Sequence, residues 1–320
     1  MHARLQCRVK VGSNARIAVA YDPVHTADAD TGIAMQLTTS PLHLDFGVEI
    51  HGVDLKMATA GHLYPAIRDA FETHSLLLFR NQTWEDADIL RFGRLFGPIE
   101  NRTDRPDHVA MVSNVLPDGS VMLPDAQRVK DLRANMLWHT DSTFLPVPAL
   151  ANIITARVIP SEGGTTELVS TRSGLKHLSQ DVKALLSQGL HHRYTHSRAK
   201  IDRDLAQAEH ITKWPEQTWR GIWPNPVNGQ EAVYIASHAC GIVGMDDTEA
   251  QHLIDDVVDT LTRDSAVFSH AWQVGDVLIW DERATLHRGM PWPFDQARTL
   301  ASICIAAGAR DGLDAVRVTD

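Results

Sequence analysis

Residues 275–289, GDVLIWDERATLHRG, contain a short apolar run followed by polar residues of the types that bind metals or act in catalysis. The run 277–280 predicts a short strand, because four consecutive apolar residues are typical of a strand buried on both faces. His287 follows this strand, and Arg298 lies eleven residues further on. Taken alone, Arg298 is typical of a surface or strand-edge arginine, so a functional interpretation needs partners elsewhere in the chain.

A second stretch, NMLWHTDSTF at residues 135–144, supplies candidate partners. On a strand, residues i and i+2 point to the same face about 7 Å apart at Cα, so His139 and Asp141 could bind one ion. An imidazole and a carboxylate are two of the three ligands in the facial triad that holds non-haem Fe(II). The pattern is weak by itself, because a chain with 17 His and 40 acidic residues contains about two such pairs by chance.

The composition argues against several classes of protein. The 320 residues carry 30 basic and 40 acidic side chains, and a net charge of −10 disfavours a nucleic-acid partner. With 43% apolar and 22% charged residues the chain can bury a core, but no apolar run is long enough to span a membrane. Cys7, Cys240 and Cys304 share no short spacing, which fits a reducing compartment and predicts a cytoplasmic protein.

Hydrophobic periodicity predicts strands and helices along the rest of the chain. Thr83-Trp-Glu-Asp86 resembles the capping box of a helix that ends at Gly97. The clearest helix covers 247–263, with Asp246 as its N-cap residue. The other predicted elements are strands at 41–54, 76–79, 149–159, 277–280 and 299–307 and helices at 63–75 and 173–188.

This order of elements favours a mainly β fold with flanking helices, either a β-sandwich or a jelly roll. Residues 191–232 show little periodicity, and we expect a long insert there of the kind that often forms a lid. Residues 1–34 differ from the rest in composition, because the first 21 contain no acidic residue, and they predict a flexible N-terminal extension. Residues 35–320 are then expected to form a single domain.

Several motifs together resemble the taurine dioxygenase family of Fe(II)- and 2-oxoglutarate-dependent oxygenases. They are FGVEIHGVDL, NMLWHTDSTF, GGTTELVS, GDVLIWDERATLHRG and QARTL, and the similarity runs from about residue 41 to residue 307. VSNVLPDG (112–119), NMLWHTDSTFLPV (135–147) and IASHACGIVGMD (235–246) further resemble the members of that family that cleave phenoxyalkanoate herbicides. Residues 1–34 have no counterpart in the resemblance.

The resemblance implies a double-stranded β-helix, or jelly-roll, core with Fe(II) bound by His139, Asp141 and His287. Such a centre leaves open positions for 2-oxoglutarate and O2. Arg298 would hold the distal carboxylate of 2-oxoglutarate, since a guanidinium binds a carboxylate through two parallel hydrogen bonds. Thr166 would donate a hydroxyl to the same carboxylate, with Thr165 as a competitor on the opposite face of the strand.

The reaction that the resemblance implies is an oxidation coupled to decarboxylation. 2-Oxoglutarate loses CO2 and becomes succinate, while a substrate C–H group is hydroxylated. If the hydroxylated carbon bears an aryl ether oxygen, the product collapses to a phenol and an oxo acid. The substrate is thus expected to be a small organic acid similar to an aryloxyalkanoate, and no catalytic residue beyond the metal ligands is predicted.

Residues for substrate binding are less sharply defined. Asn135 and Phe144 match positions that line the substrate side in relatives. Ser302 stands where taurine-type relatives have an arginine for the substrate anion, which argues against taurine and simple sulfonates as substrates. Arg198 and Lys200 could bind the anion instead, although a solvated loop charge is the common explanation for such residues. The role of His238, in the stretch 235–246, stays open.

Other functions remain as alternatives. The same chemistry could act on an alkyl sulfonate, a sulfate ester or a natural-product intermediate. The protein could instead be a metal-binding jelly roll without catalytic activity. A zinc hydrolase would need a general base, and the sequence offers none that we can name. A homo-oligomer is compatible with the resemblance. Trp138, Ile279 and Trp280 are predicted to be core, and Asp281 and Arg283 structural.

Overall fold

The apolar runs of the sequence form the strands of facing β-sheets. The structure is a computed structural model and describes residues 24–27, 34–101 and 108–318. Within these residues the strands are, in chain order, β1 (Val24–Ala27), β2 (Ala34–Pro41), β3 (Val48–His51), β4 (Leu76–Phe79), β5 (Ala110–Ser113), β6 (Ala149–Val158), β7 (Thr166–Ser170), β8 (Leu190–His192), β9 (Gln217–Trp219), β10 (Ile222–Pro224), β11 (Glu231–Val233), β12 (Ala239–Ile242), β13 (Phe268–His270), β14 (Val277–Asp281), β15 (Thr285–Gly289) and β16 (Thr299–Ala306).

Helices flank the sheets. In the described part of the chain they are α1 (Tyr64–His74), α2 (Asp86–Phe96), α3 (Gln127–Ala134), α4 (Thr171–Leu175), α5 (Gln180–Gln188), α6 (Tyr194–Ala199), α7 (Glu209–Thr212), α8 (Asp247–Leu261) and α9 (Leu313–Val316). None of the helices within the described ranges combines the length and apolar character needed to cross a membrane.

The two main sheets form the predicted jelly-roll core. The large sheet has the strand order β1-β2-β3-β4-β14-β6-β16-β5 and is antiparallel except between β3 and β4. A smaller antiparallel sheet, β13-β7-β15, packs against it. The mainly β architecture with flanking helices is therefore confirmed.

Apolar side chains from both sheets fill the space between them. Leu168 of β7 packs with Leu278 and Trp280 of β14 and with Leu300 of β16, and all four are buried. On the other face of the large sheet, α1 and α2 contribute buried residues such as Phe71 to a second core. Complete burial of one such side chain contributes about 1.5–3 kcal/mol, so these contacts hold the strands that carry the site.

Some predicted boundaries were wrong. The predicted helix 173–188 is two helices, because Ser179 caps a new start with its side chain at Val182 N. The predicted capping box at 83–86 is displaced: α2 begins at Asp86, and its box is formed by Glu85 and Asp88. Of the predicted strand 41–54, only Pro41, the last residue of β2, and the four residues of β3 (Val48–His51) are in strands.

The predicted insert at 191–232 contains short regular elements. It holds α6, α7, β9 and β10, together with two residues of β8 and two of β11, rather than one continuous loop. The predicted N-terminal extension, residues 1–34, lies outside the described residues except for 24–27 and Ala34. Within it, β1 pairs with β2 in antiparallel register.

Candidate functional site

Backbone pairing between His139 and His287 forms the base of the site. The amide of His139 donates to the carbonyl of His287 at 3.0 Å, and the amide of His287 donates back at 2.9 Å. Their ring centroids are 4.1 Å apart. His287 lies on β15 as part of a regular strand, whereas His139 forms an isolated bridge, so residues 139–141 are not a strand segment whose alternate residues share a face.

Asp141 completes a group of three side chains that could hold a metal ion. It begins a turn after His139, and its Oδ2 lies 3.8 Å from Nε2 of His287. Ligand atoms of His139, Asp141 and His287 all lie within 4.8 Å of one another. The turn thus brings the carboxylate to the two imidazoles, although the local geometry is not that of a strand.

The donor set fits a divalent metal ion such as Fe(II). Nδ1 of His139 lies 2.7 Å from the carbonyl oxygen of Leu137, and that contact requires the proton on Nδ1. The lone pair of His139 is then on Nε2, which is the tautomer that a metal ligand needs. Two imidazoles and one carboxylate are the ligand set of non-haem Fe(II) sites with open positions.

A second buried carboxylate supports the three side chains. Glu282 is fully buried, and its Oε2 accepts a hydrogen bond from the backbone N–H of Asp141 at 2.9 Å. Its Oε1 accepts from Nε1 of Trp280 at 2.7 Å, and the Trp280 ring lies 4.6 Å from that of His287. Glu282 therefore connects the backbone at Asp141 to the aromatic wall beside His287.

These residues open into a cavity of about 420 Å³. Besides the three candidate metal ligands it contains two buried arginines, several aromatic side chains and part of the large sheet. Its lining includes Met111, Leu132, Asn135, Met136, Phe144, Asn152, Ile154, Thr166, Tyr194, Arg198, His210, His238, Trp280, Trp292, Arg298, Leu300, Ser302 and Cys304.

Arg298 is a buried cation in this cavity. Its side chain is 4% exposed, Nε and Nη2 donate to the carbonyl of Gly164 at 3.2 and 3.0 Å, and its guanidinium lies over the Trp292 ring. No carboxylate among the described residues forms an ion pair with it. Burial lowers the pKa of Arg298 to about 10, so it remains charged at neutral pH and can accept an anionic ligand.

The Gly163–Gly164 turn explains how Arg298 and Thr166 come to the same cavity. Both glycines have positive φ, 71° and 64°, and a Cβ on Gly164 would lie 3.0 Å from Nε of Arg298. The chain then enters β7 at Thr166, which is buried in the cavity wall. Nε1 of Trp272 donates to the Thr166 hydroxyl at 3.0 Å, which leaves that hydroxyl able to donate to a ligand.

Arg198 is a second buried cation of the cavity. It is 7% exposed, and it donates to the hydroxyl of Tyr194 at 2.6 Å and to Oγ of Ser197 at 3.0 Å. Its buried Nε has no hydrogen-bond partner among the described residues, and no described carboxylate forms an ion pair with it. A buried guanidinium of this kind is suited to an anion from solution.

Aromatic rings lie beside Arg198. The ring of Phe144 stacks on that of Tyr194 with centroids 4.0 Å apart, and His238 meets the edge of Phe144 at 5.1 Å. Nδ1 of His238 lies 2.8 Å from Oγ of Ser197. Burial and the charge of Arg198 hold the pKa of His238 well below its usual range, so the ring is neutral at pH 7.

The structure brings most of the predicted site residues into this one cavity. His139, Asp141, His287, Arg298, Thr166, Asn135, Phe144 and Arg198 all line it. Lys200 does not: it is exposed at the end of α6 and is not among the cavity residues, because the end of the short helix directs it to solvent. Thr165, the competitor of Thr166, is likewise not among the cavity residues.

Tyr194, Asn152 and Glu282 were not predicted from the sequence. Tyr194 lies four residues before Arg198, a spacing that places both side chains on one face of a helix. Asn152 is an amide flanked by the apolar residues Ala151 and Ile153 in β6, and that contrast is a signal that it has a polar partner. Glu282 directly follows the buried strand β14. The direction of its side chain depends on the turn into β15, which the sequence does not specify.

Comparison with known proteins gives a family match over most of the chain. Residues 38–304 match the family described as taurine catabolism dioxygenase TauD, TfdA family. The matched range contains every residue named above as a metal-ligating or cavity residue.

Three relatives illustrate the range of named activities. An alpha-ketoglutarate-dependent 2,4-dichlorophenoxyacetate dioxygenase of Cupriavidus pinatubonensis is 31% identical over 83% of this chain and 96% of its own. An (S)-phenoxypropionate/alpha-ketoglutarate-dioxygenase of Sphingobium herbicidovorans is 30% identical over 82% and 92%. An alpha-ketoglutarate-dependent sulfate ester dioxygenase of Pseudomonas putida is 28% identical over 88% and 93%.

Solved structures show the same architecture. The crystal structure of AAD-2 in complex with Mn(II) and N-oxalylglycine superposes with a TM-score of 0.80 at 26% identity. The match covers 86% of this chain and 99% of that one.

Proposed function

The chain belongs to the taurine catabolism dioxygenase TauD, TfdA family, and we propose that it oxidises a small aryloxyalkanoate-like carboxylic acid. Like its family, the protein is an oxidoreductase, a dioxygenase that uses Fe(II), 2-oxoglutarate and O2. The observation that carries the substrate proposal is the presence of two buried arginines, Arg298 and Arg198, in the cavity of the metal-ligating group. Two buried cations that form no ion pair with a carboxylate of the described residues are suited to two separate organic acids.

We assign His139, Asp141 and His287 to Fe(II) on the strength of their proximity and ligand chemistry. When bound, Fe(II) supplies open coordination positions and the redox chemistry for O2. The protein's own contribution is to hold the ligands in place, and the backbone bridge between His139 and His287 does this without the ion.

Arg298 and Thr166 are assigned to 2-oxoglutarate. The free Thr166 proton and the charged guanidinium would both donate to the distal carboxylate, which is a strong charge-assisted arrangement. The carbonyl of Gly164 holds the guanidinium from behind, since it accepts from both Nε and Nη2. Burial of the pair removes competing water, so each hydrogen bond is worth more than at the surface.

Arg198 is assigned to the carboxylate of the substrate, and the neighbouring aromatic rings to its aryl group. Phe144 and Tyr194 offer apolar surface next to the guanidinium, so an acid that carries an aromatic ring matches both features. Asn135 also lines the cavity, and we assign it to the substrate as well. Lys200 is not proposed as an anion-binding residue.

The overall reaction balances with one molecule each of substrate, 2-oxoglutarate and O2. One oxygen atom enters succinate as 2-oxoglutarate loses CO2, and the other becomes the hydroxyl group on the substrate. For an aryloxyalkanoate the hydroxyl forms on the carbon that bears the ether oxygen, and the unstable product separates into a phenol and an oxo acid.

A sulfate ester or alkyl sulfonate is the second candidate substrate. A guanidinium binds a sulfate oxygen pair as readily as a carboxylate, and one of the relatives is named for a sulfate ester. The aromatic rings beside Arg198 favour the aryl acid over a purely alkyl substrate. Family membership favours either of these enzymes over a non-catalytic metal-binding protein.

The proposal extends to organisation. We propose that residues 35–320 work as one catalytic domain in the cytoplasm, with 191–232 as the cover of the cavity, since Tyr194, Arg198 and His210 of that segment line it. A small organic molecule is the partner of the site, and the negative net charge supports the absence of a nucleic-acid partner.

The test is a panel of acids incubated with the protein, Fe(II), 2-oxoglutarate and ascorbate, with succinate and phenol measured as products. We expect an aryloxyalkanoate to give equal amounts of both and an alkyl sulfate or sulfonate to give less succinate. Anaerobic addition of 2-oxoglutarate to the Fe(II) protein should also produce visible absorbance. Succinate release that no aryl acid stimulates would refute the substrate, and full turnover by Asp141→Ala would refute the metal assignment.

A further inference from the structure

Three polar side chains form a continuous hydrogen-bonded row that ends at Asp141. Oγ of Ser302 lies 2.8 Å from Oδ1 of Asn152, and Nδ2 of Asn152 donates to Oδ2 of Asp141 at 2.7 Å. Asn152 belongs to β6 and Ser302 to β16, and the register pairs Asn152 with Cys304 and Ile154 with Ser302. Because alternate residues of a strand share a face, all of these side chains point into the cavity.

Hydrogen-bond chemistry fixes the direction of the row. An ionised carboxylate can only accept, so the amide must turn its NH2 group towards Asp141 and its oxygen towards Ser302. The Ser302 hydroxyl must then donate to that oxygen. Ser302 thus prevents the Asn152 amide from rotating, and Asn152 in turn restricts the rotation of the Asp141 carboxylate.

The burial of the row argues that it has a purpose. Asn152 and Ser302 are each 5% exposed, and Asn152 lies two residues before Ile154 and four before Ala156, which are buried and apolar. Burying an amide and a hydroxyl is unfavourable unless both are hydrogen-bonded, and an apolar pair would fill the same space without that requirement. Asp141, by contrast, lies in a turn and is not held by a regular strand.

We propose that Asn152, oriented by Ser302, is a positioning residue that presents the carboxylate of Asp141 to the metal ion. This inference rests on the proposed assignment of the metal to His139, Asp141 and His287. Removing a residue that hydrogen-bonds to a metal ligand typically lowers metal affinity by about 10–100-fold. Ser302 acts only through Asn152, so its removal has a smaller effect.

The test measures Mn(II) binding by calorimetry and by the electron paramagnetic resonance signal of free Mn(II), with no 2-oxoglutarate present. We expect Asn152→Ala to weaken binding about 10–100-fold and Ser302→Ala to weaken it by a smaller factor. Ser302→Thr, which keeps the hydroxyl, should bind as the unmodified protein does. The double variant Asn152→Ala/Ser302→Ala should be no weaker than Asn152→Ala, because the hydroxyl has nothing left to orient.

The matched control is Ser113→Ala. It removes another buried strand hydroxyl, which lies 2.8 Å from Thr299 Oγ1, and should leave Mn(II) affinity unchanged. Affinity retained in Asn152→Ala, or losses that simply add in the double variant, would overturn the inference. If Asn152→Ala does not fold, the comparison of Ser302→Ala with Ser302→Thr tests the inference instead. Equal Mn(II) affinity in these two variants would overturn it.

His287→Ala separates this failure from a failure of the proposed function. If His287→Ala still binds Mn(II) as tightly as the unmodified protein, the metal assignment itself is wrong. If His287→Ala loses Mn(II) while Asn152→Ala keeps it, the assignment stands and only the role of Asn152 is refuted.

Discussion

His139 and His287 are joined by two backbone hydrogen bonds, of 3.0 and 2.9 Å, that run in opposite directions. Residues far apart in the sequence are therefore held side by side as in an antiparallel ladder, with their rings 4.1 Å apart. The bonds involve only main-chain atoms and do not depend on the imidazole rings. The two imidazoles are consequently positioned before any ion binds, and loss of one side chain should not disrupt the fold.

The first prediction concerns metal binding and stability. At a Mn(II) concentration about 100-fold above Kd, the ion should stabilise the unmodified protein by about 2.7 kcal/mol, because it binds the folded state alone. His287→Ala should abolish this gain and reduce turnover at least about 100-fold, while its stability without metal stays close to that of the unmodified protein. Chemical denaturation with and without Mn(II) measures both quantities. A variant that unfolds, or one that Mn(II) still stabilises, would contradict the prediction.

The second prediction concerns Arg298 and 2-oxoglutarate. Arg298→Lys keeps a charge but loses the two-pronged geometry, and a carboxylate then gains only a single donor. We expect KM for 2-oxoglutarate to rise about tenfold in Arg298→Lys, one decade corresponding to about 1.4 kcal/mol, and further in Arg298→Ala. Steady-state succinate assays provide the measurement. Mn(II) affinity without 2-oxoglutarate serves as the control and should not change.

The third prediction uses two basic residues of the same short segment. Arg198→Ala should raise KM for an aryloxyalkanoate about 10–100-fold, because a charge-assisted pair contributes about 1.5–3 kcal/mol. Lys200→Ala should leave it unchanged, since Lys200 is exposed and lies outside the cavity lining. The KM for 2-oxoglutarate should stay constant in both. Equal effects of the two substitutions on this KM would show that the positive charge of the segment attracts the substrate without a specific contact to Arg198.

The convergence of His139, Asp141, His287 and Arg298 on one cavity could be predicted, because each residue stands in a short motif that is visible in the sequence. His139 and Asp141 are two residues apart, and His287 and Arg298 stand at a spacing that the family resemblance makes specific. Strand geometry is not needed for this, because the side chains of His139 and Asp141 lie close together although Asp141 lies in a turn.

Residues whose role depends on register could not be predicted in the same way. Asn152 contacts Asp141 only because β6 pairs with β16 and places Ser302 beside it, and nothing near Asn152 in the sequence specifies that register. Arg198 and Lys200 are equivalent in the sequence, and only the packing of α6 against the cavity separates the buried cation from the exposed one. Helix boundaries failed where a single cap, such as Ser179, decides the break.

The final prediction concerns the buried ion cluster beneath β14 and β15. Arg283 is 2% exposed and donates to Oδ1 of Asp281 at 2.8 Å and to Oε2 of Glu72 at 2.6 Å. Arg283→Met leaves both carboxylates without this partner in a buried position. We expect a loss of about 3–5 kcal/mol in the free energy of unfolding at pH 7, as for other broken buried ion pairs.

The matched control is Arg193→Met. Arg193 pairs with Glu216 at the surface, where its side chain is 55% exposed. Exposed pairs of this kind contribute about 0–1 kcal/mol, so the control should be nearly as stable as the unmodified protein. A similar loss in both variants would mean that burial does not decide the effect.

The pH dependence of the Arg283→Met effect follows from Glu72. Burial raises the pKa of Glu72, but the charges of Arg283 and Arg68 outweigh burial and hold it below its ordinary value of 4.5. The resulting stability is present above the unfolded-state pKa and is lost as the pH falls through the lowered pKa of the folded state.

In Arg283→Met the opposing charge is gone, so Glu72 accepts a proton more readily. The difference between the two proteins should therefore be largest near neutral pH and shrink below about pH 4.5, where protonation relieves the unpaired carboxylate. Urea denaturation at pH 7 and pH 4 measures it, and a difference that grows in acid would show that Arg283 does not act through these carboxylates.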